Sequence, residues 1–196
     1  MVQTAEERAR LLAERVGFAM TAFAMIETQL DFLFAASVSL PINISARMLA
    51  SVKNFSTTLE VIDVAVRHKL EGSGALPYWL SLLEYVRELS GDRNYLAHTP
   101  MINHMPATGT FPIDPQQAQP LLGPPMSAFL GVNARRPPFD ANEILEIIRD
   151  FEEAVKFTHD LNTAIAHSSL DKLSQPIQRR RPPRGKRPPT SPPSPV

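Results

Sequence analysis

The sequence predicts an all-α fold: an antiparallel bundle of four to five helices, with a long proline-rich loop before the last helix and a disordered C-terminal tail. Three observations carry this expectation. Apolar residues recur at steps of three and four over four long stretches, and no stretch alternates apolar and polar residues over a useful length. The prolines are confined: of 19, nine fall between Pro100 and Pro138 and eight between Pro176 and Pro195, leaving Pro41 and Pro77 as helix boundaries. At 196 residues the chain is long enough for one domain with a full core. We assign residues 1–173 to the bundle, 100–138 to its inserted loop and 174–196 to the tail.

The elements follow in order. The first helix opens with Thr4 and Glu7 at capping-box spacing, and Leu12, Val16, Phe23, Ile26, Leu30 and Leu33 form its apolar face up to Pro41. The second spans about Ser45 to Leu70, with Met48, Val52, Phe55, Leu59, Ile62 and Val66 as its seam, and ends at the glycines of "EGSG". The third starts at Pro77 and carries Trp79, Leu80, Leu83, Val86 and Leu89. Gly91 would cost it about 1 kcal/mol relative to alanine and could kink it. Pro100 restricts Thr99 to extended geometry and so ends it. The fourth is capped by Asp140 and Glu143, with Phe139 and Ile144 at hydrophobic-staple spacing. Its stripe is Ile144, Ile147, Ile148, Phe151, Val155, Thr158, Leu161 and Ile165, fading near Leu173.

Composition narrows the function classes. The chain has no cysteine, which removes disulfides, thiolate metal sites and cysteine nucleophiles, and a cytoplasmic setting fits best. No apolar run approaches the roughly 20 residues of a membrane span, and "MVQTAEERAR" lacks the pattern of a signal peptide, so no membrane contact is expected. The zero net charge conceals an asymmetry: residues 174–196 hold six basic residues and no acid, leaving fourteen basic against twenty acidic residues in 1–173. An acidic body excludes a broad nucleic-acid-binding face but allows a small cationic site. The tail "QRRRPPRGKRPPTSPPSPV" cannot bury apolar surface; electrostatic RNA contact, docking to a proline-recognising domain and plain solubilisation are its possible roles.

The chemistry concentrates in "SGDRNYLAHTP", residues 90–100. Arginine five places before a histidine would arise by chance in about a third of sequences of this composition, so the pair alone decides nothing. Asn94 and His98 lie one helical turn apart, which lets the amide hold the imidazole or share a phosphate oxygen with it. Arg93 lies about 100° round the helix from Asn94, and its planar fork could reach the same phosphate. Histidine can take the proton of a ribose 2'-hydroxyl or deliver one to the leaving 5'-oxygen, and arginine can neutralise the pentacoordinate phosphorus. Neither role needs a metal or another cofactor. The bland alternative pairs Arg93 with Asp92 or Glu88 on a solvated face and leaves His98 as a polar helix end.

"RNYLAH" resembles the motif of the HEPN superfamily of helical-bundle domains, whose ribonuclease members carry an arginine, four to six residues and a histidine, often with asparagine after the arginine. The matching positions are Arg93, Asn94 and His98. The long first helix with Glu27 in "FAMIETQLDFLF" and the stretch "SVKNFSTTLEVIDVA" extend the resemblance over about residues 10–165. Where many members have glycine after the histidine, this chain has Thr99 and Pro100. The resemblance implies a homodimer in which two copies of the motif share one cleft. It further implies RNA as substrate, cleavage to 2',3'-cyclic phosphate and 5'-hydroxyl ends, and a toxin–antitoxin or phage-defence setting with an antitoxin or regulatory protein as partner. A catalytically silent helical dimer acting as an interaction module is the competing expectation. The acid or base role of His98 stays open.

Weaker candidates surround the motif. Tyr95 could stack on a base or pack in the core, His104 could approach the cleft from the loop, and Glu27 could support Arg93. His159 and His167 are two turns apart on the fourth helix, too far to share a metal, and no metal site is expected. Trp79 is a core anchor.

Overall fold

Helix-period sequence becomes helix nearly throughout. The computed structural model describes residues 4–104, 119–123 and 139–180. They form five α-helices, α1 (Ala5–Val38), α2 (Ile42–Ala50), α3 (Phe55–Lys69), α4 (Leu76–His98) and α5 (Ala141–Ala166), with strands β1 (Met101–His104) and β2 (Gln119–Leu122). The fold is thus mostly helical, as expected, and the helices share one hydrophobic core.

The capping box of α1 is formed: Thr4 Oγ1 accepts the Glu7 N–H, and the Thr4 N–H donates to Glu7 Oε2 at 2.7 Å. Leu12, Phe23, Ile26, Leu30 and Leu33 are fully buried, with Val16 half-buried beside them. Asp140 caps α5 in the same reciprocal way, and Phe139 and Ile144 are both buried.

The predicted second helix is two helices. Asn54 accepts the Thr57 N–H at 2.8 Å and caps α3, while the Ser51 hydroxyl donates back to the Met48 carbonyl. Both side chains compete with the helical backbone for its hydrogen bonds, which is why this stretch turns rather than continuing. The phase shifts with the break: Met48 is exposed, and Ser45 and Leu49 face the core instead.

Helix α4 passes through Gly91 without interruption and ends at His98, with Thr99 extended. Leu80, expected inside, is exposed; Tyr78, Leu82 and Tyr85 are buried with Trp79. The tyrosines were missed because their hydroxyls need partners, and α5 supplies them: Tyr78 Oη donates to the Phe157 carbonyl and Tyr85 Oη to the Asp150 carbonyl. Burial pushes both phenols well above the ordinary tyrosine range.

Strand pairing within 100–138 corrects the expectation that its prolines forbid regular structure. β1 and β2 pair antiparallel, with Asn103 opposite Pro120. A two-stranded ribbon has an outward edge on which proline loses no ladder bond. Leu122 then pairs with Phe139 through both backbone bonds, which ties the ribbon to the start of α5. The rest of the predicted loop, 105–118 and 124–138, lies outside the described residues.

Helix directions also refine the expectation of an antiparallel bundle. Contacts of Tyr78 with Phe157, Tyr85 with Glu153 and Tyr95 with Phe139 run α4 antiparallel to α5. Arg15 with Ala141, Phe23 with Phe151 and Gln29 with Asn162 run α1 parallel to α5. Phe23 meets both Phe55 and Phe151 edge to face at 5.3 Å, joining α1, α3 and α5. Each such ring pair adds about 0.5–1.5 kcal/mol beyond its buried area.

Two further features adjoin these expectations. Helix α1 is long and apolar enough to cross a membrane by length and composition, although 39% of its most apolar window is buried inside the fold. Residues 174–180, assigned by composition to the tail, lie against α4 and α5 with Ile177 buried. Residues 181–196 lie outside the described residues.

Candidate functional site

The break between α2 and α3 opens a cleft of about 670 Å³. Its floor is apolar, with Leu30, Leu49 and Ile62. Its rim is polar: α1 gives Glu27 and Asp31, the α2–α3 turn gives Lys53, Asn54 and Ser56, and α4 gives Ser90, Arg93 and Asn94. The N-terminus of α3, whose first-turn amides carry partial positive charge, is part of the same rim.

Arg93 is the best-defined polar group in it. One guanidinium nitrogen donates to Asn94 Oδ1 at 3.0 Å, and the other lies 4.0 Å from Glu27 Oε1, at the outer limit of an ion pair. The guanidinium carbon sits 5.6 Å from the Phe23 ring centroid, so a core aromatic supports the charge from beneath. Its Nε is buried with no acceptor among the described residues. Arg93 therefore pairs with neither Asp92 nor Glu88. Asp92 is buried, and Glu88 binds Arg179 on another face of α4.

Glu27 and Asp31 share one electrostatic feature. Burial raises the Glu27 carboxyl above its ordinary value of 4.5, Arg93 pulls it back in part, and Asp31 pushes it up again. Burial raises Asp31 as well. Two partly buried carboxylates and one arginine thus share the cleft rim.

The expected motif is divided by the fold. Arg93 and Asn94 reach the cleft; the Asn94 oxygen accepts from Arg93, which replaces the expected support of the imidazole. His98 is exposed at the last position of α4 and does not line the cleft. Tyr95 packs its ring 4.8 Å from Phe139 and donates to the Leu122 carbonyl, so it holds the ribbon to the bundle. Glu27 lines the cleft with Oε1 4.0 Å from the Arg93 guanidinium. His104 ends β1, and the stretch 105–118 that would bring it over the cleft lies outside the described residues.

Lys53, Ser56, Ser90 and Asp31 were missed. The cluster "SVKNFS" was the available signal, since asparagine before a new apolar run marks a helix start. Elsewhere, His159 and His167 line a shallow groove of about 410 Å³ with Gln29 and Phe32. Among the described residues no group of three or more histidine, aspartate or glutamate side chains is arranged to hold a metal ion. No family profile, no curated protein and no solved structure matches this chain.

Proposed function

We propose that the protein is a metal-independent endoribonuclease acting as a homodimer, in which Arg93 and Asn94 of one copy and His98 of the other flank the scissile phosphate. The observation that carries the reading is the division of the motif: Arg93 and Asn94 line the cleft, while His98, on the same helix end, stands outside that cleft and open to solvent. A two-fold arrangement brings such separated groups together, because the same patch meets itself. Arg93 neutralises the developing charge on phosphorus, and a histidine transfers the proton of the 2'-hydroxyl or of the leaving oxygen.

A surface suited to self-association adjoins the cleft. Between Gly17 and Phe32 the outward side of α1 exposes Phe18, Met25 and Phe32 and no charged side chain. Thr21 and Thr28 on the same face turn their hydroxyls onto their own helix carbonyls. A face opposite the core that lacks charge is a common mark of an interface. The resemblance to the HEPN ribonucleases favours a toxin–antitoxin or defence role with a regulatory partner.

A second reading keeps the dimer as an interaction module without catalysis. It is favoured by the occupied state of Arg93, which already contacts Asn94 and Glu27. Incubating the purified protein with end-labelled RNA in EDTA separates the two. The ribonuclease reading expects 2',3'-cyclic phosphate ends and their loss in Arg93→Ala and His98→Ala at unchanged dimer mass. A folded dimer that cuts nothing leaves the module.

A further inference from the structure

The outward face of α1 reads alike in both directions. Phe18, Thr21, Met25, Thr28 and Phe32 step alternately by three and four, the spacing of a seam between two paired helices, and all five are exposed. The large ones are between 46% and 57% exposed, so about half of each side chain stays in water in a single copy. The threonine hydroxyls donate to the Gly17 and Ala24 carbonyls, so covering this face would strand no hydroxyl.

Gly17 is the residue that a single copy does not account for. It is exposed within the helix, and a Cβ built there would meet no atom within 4 Å. Glycine is a poor helix former, and neither close packing nor a turn requires it at this point. A second helix laid against α1 would use the space.

We propose that α1 pairs antiparallel with α1 of a second copy about a two-fold axis beside Ala24 and Met25. This arrangement matches the face to itself: Thr21 meets Thr28, Ala24 meets Met25, and Phe32 of each copy fills the space over Gly17 of the other. A parallel pairing would set Gly17 against Gly17 and leave that space empty. An anionic membrane is a poor alternative occupant, because residues 1–173 hold fourteen basic against twenty acidic residues. The choice of a second copy rests on the homodimer of the ribonuclease reading.

The pairing also orients the clefts. Glu27 and Asp31, on the cleft rim, lie on one flank of the face, and Ala22 and Gln29 on the other. The two-fold axis stands perpendicular to the plane of the two helices, so each flank keeps its own side. Both clefts therefore open on the same side of the dimer, as a shared site requires.

The test is sedimentation equilibrium of the full chain over a range of concentrations. The seam extends about 22 Å along the helix, small beside an interface of roughly 800 Å² per partner, so the parent chain is expected to dimerise reversibly. Gly17→Leu should weaken the dimer at least about tenfold, while its thermal midpoint equals or exceeds that of the parent because leucine is the better helix former. Thr21→Glu should weaken it similarly by burying an unpaired charge. Adding Thr28→Lys to Thr21→Glu should restore the dimer, since only antiparallel pairing places each glutamate against the partner's lysine; seven positions apart, the two do not pair within one helix. A parent chain that stays monomeric overturns this proposal and the shared site together. A dimer that survives both Gly17→Leu and Thr21→Glu overturns this proposal alone and leaves the ribonuclease reading standing. A double variant that dimerises no better than Thr21→Glu also overturns it.

Discussion

Helix α4 carries two arginine sites on different faces, and they differ in how completely the cation is satisfied. Between α4 and α5 Arg179 has a ring beneath it and a carboxylate at 2.8 Å, and its side chain is nearly buried. In the cleft Arg93 also lies over a ring, but its carboxylate is 4.0 Å away and its Nε has no acceptor among the described residues. A satisfied pair contributes to stability, whereas an incompletely satisfied one retains affinity for an incoming anion. The two sites should therefore respond to substitution in opposite ways.

The largest expected effect is on activity in the cleft. Arg93→Ala should slow RNA cleavage on the order of a hundredfold or more, with a thermal midpoint close to that of the parent chain, as read by single-turnover kinetics and calorimetry. A large stability loss in this variant would erase the contrast. Arg179→Ala should do the reverse: it leaves Glu88 partly buried without this partner and should cost about 1–3 kcal/mol in urea unfolding while leaving the catalytic rate alone. Asn54→Ala should cost about 1 kcal/mol through the cap of α3 and, because it loosens the turn that bears Lys53 and Ser56, should also weaken substrate binding.

The smallest effect concerns pH. A carboxyl whose folded-state pKa lies above its unfolded value holds its proton more tightly when folded, so its contribution favours folding at low pH and is lost as pH rises through the raised value. Glu27 is such a group. Stability of the parent chain should therefore decline more steeply than that of Glu27→Gln as pH climbs above 4.5, in denaturant titrations at several pH values. Parallel curves would show that burial of Glu27 is compensated in the folded state.

Much of this was legible from residues alone, for identifiable reasons. Caps at Thr4 and Asp140 and the long stripes of α1 and α5 are local signals that tertiary contacts reinforce. The helical character and the placement of Arg93 and Asn94 on α4 follow from spacing. What was not legible depends on partners distant in sequence. The tyrosines of α4 are buried because α5 accepts their hydrogen bonds, and Ile177 to Arg180 are docked because acids on two helices converge on them. The α2–α3 break was present in "SVKNFS" but was overridden by an apolar step of four that runs across it. The direction of His98 could not be read from spacing, since Asn94 had a choice of partner and Arg93 took it.

The most direct test of the central claim compares one ribose RNA with its fully 2'-O-methylated counterpart, both incubated in EDTA with the parent chain and with Arg93→Ala. The account predicts that the parent cuts the ribose strand to cyclic phosphate ends, that the methylated strand survives, and that Arg93→Ala cuts the ribose strand at least about a hundredfold more slowly. Cleavage of the methylated strand, or equal rates for the two proteins, would contradict it.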